Sequence, residues 1–202
     1  MRYCPEWPLF CEHTNAVMSA HSVEKDDGVF HLPGHPLPAF VSLVSTDAAE
    51  PSVDLFLVSL SRPVLLCAFS FPSKKAGDAV EVDCAPSQPS TQQLCSFKEH
   101  LAVLRQREPD LLVYGLSMYP PACQSKVHAT LGLPFPLLSD TRGELAEKLA
   151  LPRADECGVP LLRRCTMLIR EGQIQRLDFP LLQPAQAAVR AEYMMQRDAG
   201  EA

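Results

Sequence analysis

The apolar run PVLLCAFSF, residues 63–71, constrains the fold of this chain more than any other feature. It is apolar almost without interruption, which is typical of a β-strand buried on both faces. A second run of this kind, DLLVYGLS, occupies residues 110–117. Between the two, residues 92–107 place four apolar side chains on one stripe of a helix: Leu94, Phe97, Leu101 and Leu104. Two buried strands separated by a helix predict a sheet that is covered by helices.

The later part of the chain continues this alternation. PPACQSKVHATLGL is typical of a helix that ends at Gly132, and PFPLLSD of a short strand. Asp140 is predicted to cap a helix over TRGELAEKLAL, and Glu171-Gly172 to form the turn of a hairpin. QPAQAAVRAEYMMQR closes the chain as an amphipathic helix. We therefore predict an α/β fold, a central mixed β-sheet flanked by helices, over residues 34–202, preceded by an N-terminal extension, residues 1–33.

Composition excludes several classes of function. The net charge is −6 and the basic residues are scattered, so the chain has no electrostatic footprint for nucleic acid. No apolar run is long enough to span a membrane, and the N-terminus lacks the pattern of a secretion signal, so we expect a cytoplasmic protein. In that setting the eight cysteines are expected to be reduced, buried or redox-active. Cys4, Cys11 and His13 fit no standard zinc spacing, and we expect neither a metal nor a cofactor.

A long stretch without clear periodicity separates the first strand from its helix. It reads PSKKAGDAVEVDCAPSQPS and covers residues 72–90. A structureless loop of this length inside a domain is usually functional or mobile. It also follows the carboxyl end of a central strand, where open α/β sheets form their sites. The stretch therefore predicts a functional site, with a surface insertion as the alternative.

The helix after this stretch begins beside Ser90, and Cys95 follows five residues later. A helix N-terminus exposes unpaired N–H groups and the positive end of the helix dipole, which favour a thiolate. A serine at that place stays protonated and, without a neighbouring base, acts mainly as a cap. Residues five apart in an intact helix are separated by roughly 8–9 Å, which exceeds the reach of a disulfide. A thiol at position 90 would therefore reach Cys95 only after the first helical turn unwinds.

The segment SQPSTQQLCSFKE resembles peroxiredoxins of the peroxiredoxin Q, or bacterioferritin-comigratory, subfamily of the AhpC/TSA family. Those proteins carry a Thr-Pro-Gly-Cys-Thr stretch, a resolving cysteine within the next residues, and then Ser-Phe, a basic and an acidic residue. The similarity extends over about residues 34–196 and includes LGLPFPLLSD followed by a GELA-type helix. On this resemblance Ser90 falls on the peroxidatic cysteine and Cys95 on the resolving cysteine. Ser87 falls on the family threonine, and Arg164 on the arginine that helps to hold the thiolate.

The resemblance implies a thioredoxin-like fold and the thiol-dependent reduction of hydroperoxides. In this chemistry a thiolate attacks the peroxide and becomes a sulfenic acid, the resolving thiol condenses with it, and a thioredoxin-like dithiol reduces the disulfide. The expected substrate is a hydroperoxide or another small molecule. The resemblance also implies that two copies of the chain can pair as a homodimer.

The chain departs from the family at the site itself: Ser90 replaces the nucleophile, Ser87 replaces the threonine, and about eleven extra residues introduce Cys84. An engineered exchange of cysteine for serine would explain Ser90, and this chain would then be inactive as a peroxidase. A second explanation is natural repurposing, in which the site binds or transforms a small molecule of a biosynthetic pathway. In a third, Cys84 is the nucleophile and Cys95 its resolver, although acidic neighbours disfavour the Cys84 thiolate. The sequence leaves all three open.

Overall fold

The computed structural model of the chain describes residues 28–76, 79–156 and 159–196. Most of the predicted extension, residues 1–27, lies outside this part, as do Cys4, Cys11, His13 and Cys157. The strands are β1 (Ser42–Ser45), β2 (Ser52–Asp54), β3 (Val64–Ala68), β4 (Ser73–Ala76), β5 (Ala79–Val82), β6 (Leu112–Ser117), β7 (Leu137–Ser139), β8 (Arg153–Glu156), β9 (Val159–Leu162), β10 (Cys165–Arg170) and β11 (Gln173–Asp178). The α-helices are α1 (Leu55–Ser59), α2 (Pro89–Arg107), α3 (Pro121–Leu131), α4 (Glu144–Lys148) and α5 (Ala187–Gln196). None of the described helices is long and apolar enough to cross a bilayer.

Seven strands form one mixed sheet in the order β11-β10-β3-β6-β7-β1-β2. Strands β3, β6 and β7 are parallel to one another, whereas β10 is antiparallel to β3 and β1 is antiparallel to β7. Helices α2, α3 and α5 cover one face, and α1 and α4 cover the other. The prediction of a central mixed sheet flanked by helices is therefore confirmed, and the arrangement is a thioredoxin-like fold.

Strand β3 shows why its sequence is continuously apolar. All five of its residues are buried, and successive side chains point to opposite faces of the sheet. Leu65 and Cys67 belong to the core under α2, while Leu66 belongs to the core on the other face. Cys165, which pairs with Ala68, is equally buried, and this burial raises the pKa of its thiol to about 12. Both thiols are core groups rather than reactive ones.

The stretch before α2 is not structureless. Strands β4 and β5 form an antiparallel hairpin in which Ser73 pairs with Val82 and Lys75 with Val80. The prediction of an irregular loop is therefore wrong for residues 73–76 and 79–82, and residues 83–88 connect the hairpin to α2. The alternating valines and the Gly-Asp dipeptide between the two strands are the sequence signals that favour a hairpin. A second hairpin, β8 with β9, also has no counterpart in the sequence analysis.

The last residues of the predicted extension pack against the domain. Leu32 is fully buried in the core on the α1 and α4 face. The backbone then follows the outer edge of β11, where the Gly34 N–H donates to the Ile174 carbonyl at 2.7 Å and the Leu37 N–H donates to the Gly172 carbonyl at 2.7 Å. Residues 28–37 therefore cover part of an edge strand that would otherwise present unpaired backbone groups.

Most of the predicted ends of elements are found in the structure. The turn between β10 and β11 has positive φ at both Glu171 (52°) and Gly172 (73°), and α3 ends at Gly132 in the left-handed conformation. Helix α4 begins later than predicted, because Gly143 is left-handed and Glu144 is the first helical residue. Asp140 still serves this helix, since its Oδ2 accepts a hydrogen bond from the Ala146 N–H at 2.9 Å.

Candidate functional site

Ser90 is the second residue of α2 and lies at the carboxyl end of β3. Pro89 occupies the first helical position, where its missing N–H costs nothing. The Ser90 hydroxyl donates to the carbonyl of Ser70, two residues beyond the end of β3, and it accepts from the Ser70 N–H at 3.3 Å. With 1% of its surface exposed, Ser90 is held between the helix start and the strand end. The prediction that position 90 lies at the mouth of a helix is confirmed.

Gln93 links this helix start to the sheet. It is fully buried, and its Nε2 donates to the carbonyl of Ala68 in β3 at 3.2 Å and to that of Cys165 in β10 at 3.3 Å. Sequence analysis missed this residue, although it left a signal. A glutamine one turn before Phe97 interrupts an otherwise apolar stripe, and polar groups in such a place need hydrogen-bond partners.

Arg164 approaches the site from the sheet. It immediately precedes β10, whose first residue, Cys165, pairs with Ala68 near the end of β3. Because Ser70 follows that end of β3, the start of β10 and the Ser90 hydroxyl lie at the same edge of the sheet. The Arg164 Nε is buried and has no hydrogen-bond partner among the described residues. Burial, with a contribution from Arg163, lowers the pKa of the Arg164 guanidinium.

Buried polar atoms without partners concentrate in this region. Four of them lie on the first turns of α2 and at the start of β10, and we call them the α2–β10 cluster: Thr91 Oγ1, Gln93 Oε1, Arg164 Nε and Thr166 Oγ1. Buried polar groups normally find a partner, because leaving one unpaired costs free energy. The cluster therefore has free donors and acceptors for a bound molecule or water.

The structure brings together some of the predicted site residues and separates others. Ser90 and Arg164 lie at the same edge of the sheet, near the end of β3, whereas Ser87 is exposed in the segment that leads to α2. Cys95 is half-buried and lies one and a half turns after Ser90 in an uninterrupted helix. In this geometry, a thiol at position 90 could reach Cys95 only if the first turn of α2 unwound.

Cys84 lies in a different environment. It lines a cavity of about 490 Å³ together with Cys123 of α3, whereas Cys95 does not line it. Burial raises the pKa of the Cys84 thiol, and Cys123 and Asp83 raise it further. The structure therefore gives Cys84 a cysteine neighbour, but a different one from the resolver that the sequence suggested.

The arrangement at position 90 suits an anion better than a hydroxyl. A thiolate there would sit at the positive end of a 19-residue helix, at the edge of the sheet where Arg164 has an unused N–H. Both features lower a thiol pKa and stabilise negative charge. The serine hydroxyl, by contrast, remains neutral and uses its hydrogen-bonding capacity on the Ser70 backbone.

Comparisons with known proteins agree with this geometry. Residues 80–177 match the sequence model of the AhpC/TSA family. Among solved structures, the peroxidoxin BcpB of Mycobacterium tuberculosis is 20% identical over 82% of this chain and 97% of its own, with a TM-score of 0.62. A cysteine-to-serine mutant of Xylella fastidiosa PrxQ is 18% identical over 82% and 96%, with a TM-score of 0.61.

Reduced Prx3 of Vibrio vulnificus in complex with hydrogen peroxide is 16% identical over 81% of this chain and 97% of its own, with a TM-score of 0.61. No curated protein matches the chain. The structural neighbours share the fold, and the family match covers the segment that contains Ser90 and Arg164. The match to the AhpC/TSA model therefore agrees with the resemblance seen in the sequence, and the solved structures show the same fold.

Proposed function

We propose that this chain is a peroxiredoxin-type protein of the AhpC/TSA family, whose model matches residues 80–177, and that position 90 is its peroxidatic position, with Ser90 in the place of the nucleophile. With a thiol at that position the protein reduces hydroperoxides. With Ser90 it retains the binding groups of the site but does not turn over. The family match and the placement of Ser90 at the start of α2 support this proposal.

One observation carries the proposal. The Arg164 Nε is buried without a partner at the same edge of the sheet as the Ser90 hydroxyl. An unused, desolvated guanidinium N–H is costly unless it serves an anionic acceptor. A thiolate at position 90, or the peroxide oxygens bound to it, supplies that acceptor.

The reaction proceeds in three steps. A thiolate at position 90 attacks one peroxide oxygen, the O–O bond breaks, and the alkoxide leaves as an alcohol after taking up a proton. Because α2 is intact between positions 90 and 95, its first turn must unwind before the Cys95 thiol attacks the sulfenic acid. Water leaves and a disulfide forms, which a thioredoxin-like dithiol then reduces.

The test restores the thiol. We expect Ser90→Cys to consume hydrogen peroxide in the presence of thioredoxin, thioredoxin reductase and NADPH, and the chain with Ser90 to show no turnover. Adding Cys95→Ser to Ser90→Cys is expected to limit the thiol at position 90 to one equivalent of peroxide, because its sulfenic acid has no resolver. Negligible turnover by Ser90→Cys would reject the peroxidase proposal.

Two adjacent arginines provide a matched control. In the Ser90→Cys background, Arg164→Gln is expected to lower kcat/KM by roughly 10²-fold, the usual effect of removing one preorganised donor. Arg163 instead lies over the ring of Phe179 at 5.0 Å, so Arg163→Gln is expected to leave kcat/KM within a few-fold. Equal losses in the two variants would show that Arg164 has no special role at the site.

A second candidate function is a repurposed site that binds or transforms a small molecule without reducing peroxides. It is supported by the hydrogen bonds of the Ser90 hydroxyl, which both donates to and accepts from the Ser70 backbone. A serine that is satisfied in this way is consistent with being the native residue. The same experiment separates the two candidates, because a repurposed site predicts no peroxide consumption by Ser90→Cys. A gene that natively encodes cysteine at position 90 would exclude the repurposed site.

A further inference from the structure

A second pair of thiols lies outside the site at position 90. Cys84 and Cys123 line one cavity of about 490 Å³, between the end of the β4–β5 hairpin and helix α3. Val82 and Val127 form part of its apolar wall, and Lys126 also lines it. Cys84 packs against the core cluster to which Cys123 belongs, and both thiols are free. The two cysteines therefore line one partly enclosed space.

The local structure holds both cysteines in place. Asp83, beside Cys84, accepts hydrogen bonds from the Ala85 N–H at 2.9 Å and from the Gln88 side-chain amide at 2.7 Å. Cys123 is the third residue of α3, and 6% of its surface is exposed. The cavity gives a small molecule access to a thiol that is otherwise covered.

We propose that Cys84 and Cys123 form a redox-active dithiol that hydroperoxides oxidise to a disulfide, which links the segment after β5 to α3. This proposal does not depend on the function of position 90, where the chain carries no thiol. The oxidised form would close the cavity from both walls. The site is thus a modification site built from two cysteines on separate elements.

Cys123 supplies the attacking thiolate in this reaction. It lies in the first turn of α3, where the helix dipole favours negative charge, and Lys126 lies one turn away on the same helix. Burial raises the pKa of the Cys123 thiol and Lys126 opposes that effect, whereas Asp83 adds to the raised pKa of Cys84. Cys84 is therefore the resolving thiol.

The reaction balances with a hydroperoxide as the oxidant. The Cys123 thiolate attacks one peroxide oxygen, the O–O bond breaks, and an alcohol leaves, so that Cys123 becomes a sulfenic acid. The Cys84 sulfur then attacks the Cys123 sulfur, the S–O bond breaks, and the hydroxide leaves as water with the Cys84 proton. Two thiols have lost two electrons, and the peroxide has become an alcohol and water.

The test is peptide mapping of the full chain after hydrogen peroxide treatment. Trypsin places Cys84 in the peptide 76–98 and Cys123 in the peptide 108–126. We expect a disulfide between these peptides that dithiothreitol removes. Because peptide 76–98 also contains Cys95, three single variants are needed to assign the bond. The cross-link is expected in Cys95→Ser and is expected to be lost in Cys84→Ser and in Cys123→Ser.

Two results would overturn the assignment. Absence of the cross-link from the unmodified chain would show that the two sulfur atoms do not meet, and its persistence in Cys84→Ser would assign it to Cys95. The order of attack has its own readout, because the sulfenic acid accumulates when the resolver is removed. In peroxide-treated Cys84→Ser, dimedone is expected to label Cys123, and an unlabelled Cys123 would refute its role as the attacking thiol.

Discussion

The clearest energetic prediction concerns Thr166, whose side chain belongs to the α2–β10 cluster. Thr166 is in β10, none of its surface is exposed, and its Oγ1 has no hydrogen-bond partner among the described residues. It pairs with Cys67, which packs under α2, and its side chain therefore faces the site. We consider the substitution Thr166→Val, which keeps the branched shape and replaces the hydroxyl with a methyl group.

The expected change is a gain in stability. An unpaired buried hydroxyl costs about 1–3 kcal/mol relative to an apolar group of the same shape. Not all of this is recovered, because neighbours must accommodate the methyl group, so we expect the free energy of unfolding to rise by about 1–2 kcal/mol. For a chain of this size, that corresponds to a rise in Tm of about 2–8 °C.

A second threonine provides the control. The Thr46 Oγ1 accepts a hydrogen bond from the Leu137 N–H at 2.9 Å, and Thr46→Val would leave that N–H without its acceptor. This change is expected to lower the free energy of unfolding by about 1 kcal/mol. Urea unfolding followed by circular dichroism measures both variants, and unchanged m-values make the midpoints comparable. The same chemical change is therefore expected to have opposite signs at the two positions.

The result that would refute the reasoning is a loss of stability in Thr166→Val equal to that in Thr46→Val. It would show that the Thr166 hydroxyl has a partner, such as a permanently bound water, and that the cluster is not free to receive a ligand. If Thr166→Val is stabilised, the same change in the Ser90→Cys background tests whether the hydroxyl serves the reaction. A more stable but slower enzyme would show that stability is given up for activity at this site.

Three further predictions concern packing and thiol chemistry. Gly115→Ala is expected to lower the free energy of unfolding by about 1–3 kcal/mol in urea, because the new Cβ would overlap Cδ2 of Leu137 between β6 and β7; an unchanged midpoint would contradict this. Oxidation of Cys84 and Cys123 closes a loop of about 40 residues and is expected to raise the free energy of unfolding by about 4 kcal/mol. If dithiothreitol does not lower the Tm of the oxidised chain, this prediction is wrong. Burial raises the pKa of Cys165 to about 12, which keeps its thiol protonated. Iodoacetamide at neutral pH is therefore expected to label Cys165 only in urea, and equal labelling of the folded chain would disprove its burial.

Local sequence patterns predict much of this fold. Strands β3 and β6 stand out because burial on both faces requires an apolar residue at nearly every position. The end of α3 and the turn between β10 and β11 stand out because glycine takes left-handed conformations readily. The short elements do not stand out. Hairpin β4–β5 forms a two-stranded sheet of its own, and its residues lack the long apolar run that marks β3 and β6.

The candidate site is less accessible to sequence reasoning, because its parts are distant in the chain. Ser90 and Arg164 are identified as candidate site residues through the family resemblance, because no local pattern predicts that β10 pairs with β3. Gln93 was missed because its partners are backbone carbonyls of two strands. The neighbourhood of Cys84 and Cys123 depends on how the hairpin meets α3, and periodicity within one element does not encode such a contact.

The position of β10 in the sheet has a consequence for the newly made protein. Ser70 and position 90 leave the ribosome long before Arg164, yet β10 lies directly beside β3 in the finished sheet. A growing chain with a thiol at position 90 would therefore lack, until β10 is made, the guanidinium that we propose activates it. On that proposal, such a thiol would become sensitive to oxidants only after the C-terminal strands have docked.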